Sequence, residues 1–158
     1  MISKVKKMKE DILRQIGTIA RALDSIANIE FKDIQLNRGQ YLYLVRISEN
    51  PGIISDHLAG MLNVDRTTTA RSIKKLEQNQ LIRKENDQQN KKIKHLFVTE
   101  LGQKLAKQIK KENAYSNEVV LAGLSTQQRI ELAALLQIVE KNASANWRLV
   151  KNGEKREY

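Results

Sequence analysis

Cysteine is absent from the 158 residues. That excludes a disulfide framework and any sensing of oxidants through a thiol. The two histidines, His57 and His95, stand apart in a spacing that matches no zinc motif. None of the seven glycines belongs to a Gly-x-Gly pair, so no phosphate-cradling loop is signalled. Aromatic residues make up 4% of the chain, too few for a platform on which single-stranded bases stack. Tyr115 and Trp147 are instead expected to pack. No apolar run reaches the ~18 residues of a membrane-spanning helix. The start, Met1-Ile2-Ser3-Lys4-Val5-Lys6-Lys7, leads into charge-interrupted amphipathic sequence, unlike a signal peptide. A cytoplasmic location is therefore expected, with no cofactor, no metal and no membrane partner. Ser55-Asp56-His57 holds the residue types of a hydrolytic triad, but neighbours on a helix do not face one another. An enzyme is not expected.

What is abundant is positive charge, and it is uneven. The net charge is +10, and residues 61–98 carry nine basic and four acidic residues, a net +5. A quarter of the chain thus holds half the surplus, as a nucleic-acid surface would require. A membrane-surface helix is the rival, but this stretch lacks the large apolar flank that insertion needs.

The stretch Ile53–Val98 organises the chain. It reads as a short helix (Ser55–Leu62), a tight turn (Asn63-Val64-Asp65) and a second helix (Arg66–Asn79). A strand (Leu81–Asn86), a polar basic tip (Asp87–Lys92) and a return strand (Ile93–Val98) follow. Asp65 suits the N-cap of the second helix, and Ser55 or Asp56 that of the first. At about 100° per residue Thr69, Ile73 and Leu76 form an inward stripe, leaving Thr67, Arg71, Lys74, Lys75 and Gln78 outside. That outer face has no large apolar residue and many hydrogen-bond donors. It suits a major groove, where Arg pairs with guanine and Thr touches a thymine methyl or a phosphate. A helix-turn-helix followed by a two-stranded ribbon is a winged helix. In the return strand Lys94 shares a face with Leu96 and Val98 at period two.

These residues carry a family resemblance. Leu58-Ala59, Val64-Asp65-Arg66-Thr67-Thr68-Thr69-Ala70-Arg71, Leu76-Glu77, Leu81-Ile82, Val98-Thr99 and Gly102 resemble, in order and spacing, the winged-helix core of the MarR family of bacterial transcriptional regulators. Leu36-Asn37, Gln40-Tyr41 and Leu44 upstream, and Gly123-Leu124-Ser125 with Leu132, Leu135 and Leu136 downstream, extend it over about Asp11 to Asn142. Two positions depart from the pattern. Where the family's wing carries Asp-x-Arg, this chain has Asn90 and Lys92, which implies a looser tip and a point charge in place of a planar fork. Where the family favours Gly after the recognition helix, this chain has Gln80. Either Asn79 takes the left-handed position one residue early, or Gln80 bears strain.

Outside that core, helices are expected throughout. Val5, Met8, Ile12, Ile16, Ile19, Leu23 and Ile26 step by three and four, a long helix whose narrow stripe fits a second subunit as well as its own domain. Asn37 is the expected cap of a helix over Arg38–Ser48 with Tyr41, Leu44 and Val45 inside. Asn50-Pro51-Gly52 is the clearest turn. Thr99 or Glu100 starts a helix through Leu101, Leu105 and Ile109 towards Val120. Gly123 breaks it, and Ser125 caps a last helix with Leu132, Leu135, Leu136 and Val139 inside. The fold class is mainly α with a small β-wing, one domain over 1–158. Dimerisation helices fall at about 1–28 and 115–145, the DNA-binding part at about 36–98, the helix-turn-helix at 55–79 and the wing at 81–98. The tail, 146–158, is polar apart from Trp147, Leu149 and Val150, and either stays mobile or docks on the partner.

The function expected is a sequence-specific regulator that binds double-stranded DNA as a homodimer on a pseudo-palindromic operator. Arg71 is the expected base reader and Arg66 a phosphate or base-edge contact, with Thr67 and Thr68 beside it. Ser55, Lys74, Lys75, Lys91, Lys92 and Lys94 are expected on the backbone and in the wing's groove. The resemblance implies repression, and a small aromatic or anionic effector between arms and heads, with Arg14, Arg21, Arg38 and Tyr41 near the cleft. A non-specific basic or architectural nucleic-acid protein is the alternative, and a winged helix that serves protein contacts a further one.

Overall fold

Helices and strands follow one another as α1 (Ile2–Glu30), α2 (Gln40–Glu49), β1 (Ile53–Ile54), α3 (Ser55–Leu62), α4 (Arg66–Gln78), β2 (Ile82–Asn86), β3 (Lys94–Val98), α5 (Glu100–Val120) and α6 (Thr126–Lys151). The structure, a computed structural model, describes every residue except Met1, Gln35, Asn37 and Arg38, and for Ile2–Glu10 the backbone alone. The expected cap at Asn37 and the stripe positions Val5 and Met8 therefore lie outside what is described. α2 begins at Gln40, after Gly39 in the left-handed region (φ 75).

The three strands form one antiparallel sheet in the order β1-β3-β2. β2 and β3 pair from Ile82↔Val98 to Asn86↔Lys94, which makes the ribbon. β1 adds Ile53↔Leu96 and Ile54↔His95 on the other edge. That third strand was not expected, because two residues carry no periodicity. It also displaces the expected cap of α3: Ile54 is the N-cap, with no side-chain bond, and Ser55 is the first helical residue. The core lies where α2, α3, α4, the sheet and the first half of α5 meet, around Leu44, Ile47, Leu58, Leu76, Leu96 and Ile109, all fully buried.

Two junctions fix α4. At its start the Asp65 carboxylate accepts from the Thr68 N–H at 2.9 Å, as an N-cap should. At its end Leu81 N–H reaches Leu76 O and Gln80 N–H reaches Glu77 O, both at 2.9 Å. This is a Schellman motif with Leu76 and Leu81 buried together. Asn79 keeps φ −82, so Gln80 takes the left-handed position, at φ 59. The chain then enters α5 through Thr99, whose N–H donates to Leu81 O at 3.0 Å and whose hydroxyl donates to Gln80 O at 2.7 Å. A Cβ at Gly102 would stand 1.9 Å from Leu81 O, so only glycine permits this approach.

The last helix departs most from expectation. Ser125 and Gln128 form the capping box, but no residue of α6 is buried. Leu135 is 61% exposed and Leu136 42%, where an inward stripe was expected. Of that stripe Leu132 is half-buried, and Leu135, Leu136 and Val139 are exposed. α6 also continues through Trp147 to Lys151, so the first part of the expected tail is helical. Tyr115, expected to pack, is 72% exposed.

Candidate nucleic-acid interface

α4 shows the two faces its periodicity dictates. Thr69, Ser72, Ile73 and Leu76 are buried, while Arg66, Thr67, Thr68, Arg71, Lys74, Lys75 and Gln78 are exposed. Arg66, Thr67, Ala70, Arg71 and Lys74 line one shallow depression on the outer face. Lys75 stands on the flank turned away from Ala70. The Thr68 hydroxyl donates to Asp65 Oδ2 at 2.6 Å, so it serves the cap first and presents its methyl and lone pairs outward. That hydroxyl, then the Thr68 N–H, holds the Asp65 carboxyl below the usual range, so it stays ionised at the helix N-terminus.

A second concavity of about 320 Å³ runs between α4 and the ribbon. Ser55, Lys92 and Lys94, expected as DNA contacts from separate stretches, meet in it beside Ala70. Lys84, which the sequence reading passed over, lines it as well. Lys91 lies exposed at the tip. The elements thus bring the recognition helix, the start of α3 and the wing onto one surface.

All nine basic side chains of residues 61–98 are exposed, but they are not equivalent. Arg66 pairs with Asp56 at 3.1 Å, Lys84 with Glu77 at 2.6 Å, Arg83 with Glu85, and Lys94 donates to Asn86. Arg83 also lies over the Phe97 ring, 4.7 Å from its centroid. Among the described residues Arg71, Lys74, Lys75, Lys91 and Lys92 make no ion pair. These five gain most from a phosphate, since no internal partner is given up. Asp56, a candidate cap in the sequence, instead pairs with the Arg66 guanidinium at the start of α4.

The wing tip is braced in its own way. Asp87 Oδ1 accepts from the Gln89 and Asn90 N–H groups at 2.9 and 2.8 Å, and Asn90 Oδ1 accepts from the Lys92 N–H at 3.0 Å. Asp87 Oδ2 lies 2.9 Å from His95 Nε2, and His95 Nδ1 lies 2.8 Å from Gly52 O. The missing Asp-x-Arg pair does not leave this tip without ties, contrary to the looser wing the substitution implied. His95 faces an acceptor from each ring nitrogen, so only the imidazolium satisfies both. The Asp87 hydrogen bond and then the Gly52 carbonyl raise its pKa, while His95 and the two amides pull Asp87 down to about 2.

Of the expected effector residues, the described Arg14, Arg21 and Tyr41 do not line one cavity within the protomer. Arg14 pairs with Asp11 at 3.6 Å and Arg21 donates to Thr18 at 3.3 Å, both exposed, and Arg38 lies outside the described residues. Tyr41 does line a cavity of about 380 Å³ between α1, α2 and α5. Its hydroxyl donates to Asp24 at 2.7 Å, and burial and then that carboxylate hold the phenol well above its usual range. The charged groups described in that lining are Asp24 and Glu112. An anionic effector meets no cationic partner among them. Among the described residues no group of three or more His, Cys, Asp or Glu could hold a metal ion, and no helix is long and apolar enough to cross a membrane.

Comparison with known proteins agrees with this geometry. Residues 36–94, from α2 to the first residue of β3, match the MarR family. The HTH-type transcriptional regulator YybA of Bacillus subtilis (strain 168) is 58% identical over 148 residues, 94% of this chain and 99% of its own. The chain belongs to the MarR family. Among solved structures, a MarR-family transcriptional regulator from Listeria monocytogenes, crystallised with a 26mer DNA, is 52% identical with TM-score 0.90, over 92% of this chain and 97% of its own. The transcriptional regulator SlyA is 54% identical with TM-score 0.86, over 89% and 99%. This MarR-family protein is thus a transcriptional regulator with a winged-helix fold.

Proposed function

We propose that this MarR-family regulator binds double-stranded DNA sequence-specifically as a homodimer and represses by occupying a promoter in the cytoplasm. The observation that carries this reading is the unpaired Arg71, on the exposed Thr67–Lys74 face, beside a groove in which Ser55, Lys92 and Lys94 meet. Arg71 reads a base edge, Arg66 and Thr67 sit at the groove end of α4, and the lysines hold phosphates. The dimer reading rests on α6. A helix of 26 residues that buries none of them needs a partner, and Ile12, Leu13 and Ile19 of α1 are exposed as well. Two reading heads related by a two-fold axis then fit half-sites about one turn, ~10 bp, apart.

The test is in vitro selection from a random duplex pool, followed by affinity measurements at fixed salt. The selected site should bind at least about 10³-fold tighter than random duplex. Arg71→Ala should lose on the order of 1–3 kcal/mol and relax one position of the site. Lys74, Lys75, Lys91 and Lys92 of both protomers predict a slope of log K against log salt of about −7. Equal binding to selected and random duplex would replace this reading with an architectural role.

A further inference from the structure

α4 is held at both ends, and only one hold belongs to the winged-helix core. Its C-terminal end rests on α5 through Leu81, Thr99 and the close approach at Gly102. Its N-terminal end is held from the far end of the chain. Trp147, the only tryptophan, donates its indole N–H to the main-chain carbonyl of Asn63. The Asn63 amide in turn donates to Ser144 Oγ at 2.8 Å. Asn63 is the left-handed residue (φ 52, ψ 43) that ends α3, and it stands three positions before Arg66. Ser144 and Trp147 lie one turn apart on α6 and are both half-buried, on a helix that buries no residue fully.

We propose that Ser144 and Trp147 are positioning residues that set the angle of the recognition helix against the dimer arm, and thereby the half-site spacing the dimer accepts. This rests on the dimeric DNA-binding reading above. The clasp acts at the base-reading end of α4, where angular slack moves Arg66, Thr67 and Arg71 directly. Inserting one base pair between half-sites moves one of them by about 3.4 Å and turns it by about 35°. A head pinned at both ends of α4 cannot follow that displacement; a head pinned only through α5 can rock towards it.

The experiment uses the full-length protein and the duplex that wild type selects, with the spacer between half-sites shortened or lengthened by one and two base pairs. Affinities are measured for wild type, Trp147→Phe, Ser144→Ala and Asn63→Gly, with sedimentation to confirm the dimer. Phe keeps the apolar ring and removes the donor. Gly keeps the left-handed backbone and the carbonyl and removes the amide. The expected result is a spacing penalty that is several-fold flatter in the variants, up to about tenfold, the factor one net hydrogen bond can withhold. A general weakening with an unchanged spacing profile would show a merely structural contact and overturn the proposal. If Trp147→Phe does not fold, the other two variants decide on the same readout. A wild-type chain that selects no sequence overturns the DNA reading itself, and the clasp with it.

Discussion

Replacing Gln80 with glycine should stabilise the protein. Gln80 and Asn63 are the non-glycine residues with positive φ among those described, and Gln80 lacks the short side chain that lets Asn tolerate this region. The left-handed conformation costs an ordinary L-residue about 1–2 kcal/mol. Every bond of the junction is made by main chain on the Gln80 side: its N–H to Glu77 O, and its carbonyl from the Thr99 hydroxyl. The substitution therefore removes the Cβ clash and leaves those bonds in place. Against the gain stands the larger freedom of glycine in the unfolded chain, about 0.4–1 kcal/mol. The difference leaves roughly 0.5–1 kcal/mol, a rise in Tm of about 1–4 °C for a chain of this length. Melting should be followed at one fixed protomer concentration, because the stability of the proposed dimer would depend on it. Gln80→Ala keeps the Cβ and should match wild type within about 0.5 kcal/mol. An alanine variant that gains as much as glycine would place the effect in the exposed side chain and refute the strain account.

Gly102→Ala should do the opposite: with Leu81 O 1.9 Å from the new Cβ, α5 must leave the end of α4, at about 3 kcal/mol or more, read by urea denaturation. The wing should be pH-sensitive. His95 has its pKa raised above 6.5, so its contribution is complete below that value and is lost as pH rises through the folded pKa. Asp87, lowered to about 2, contributes above its ordinary 3.8 and is lost as pH falls through about 2. An NMR titration should place the His95 midpoint above 6.5 and Asp87→Asn should return it towards that value; a wild-type midpoint at or below 6.5 would reject the latch.

The helix-turn-helix and ribbon were legible because each of their signals is local. Asp65 caps through a residue three positions on, Thr69, Ile73 and Leu76 share a face by helical period, and Ser125 and Gln128 close their box within one turn. The expectations that failed depend on partners distant in sequence. β1 exists only because Leu96 and His95 lie beside Ile53 and Ile54. Leu135 and Leu136 were read as inward because a stripe reports that burial is sought, not which molecule supplies it. Trp147 looked like part of a tail because nothing near it in sequence announces an acceptor 84 positions away. The acid lining below Tyr41 was hidden for the same reason, since Asp24 and Glu112 come from different helices.

If this surface reads DNA as proposed, the internal pairing of its charges decides how. A cation already paired within the protein must exchange one partner for another, so it adds little affinity, but it arrives with its geometry set and loses less freedom on binding. Arg66, 3.1 Å from Asp56 beside the start of α4, is of that kind. Lys74, Lys75, Lys91 and Lys92, without ion-pair partners among the described residues, would in that reading follow phosphates whose positions vary with DNA shape and supply attraction without discrimination. Arg71 combines the two properties: no ion-pair partner among the described residues, yet a position in the middle of a helix held at both ends. On the proposed reading, specificity depends less on the number of basic residues than on how firmly the helix that bears Arg71 is held, and contacts as far from that face as Gly102 and Trp147 would bear on which sequence is chosen.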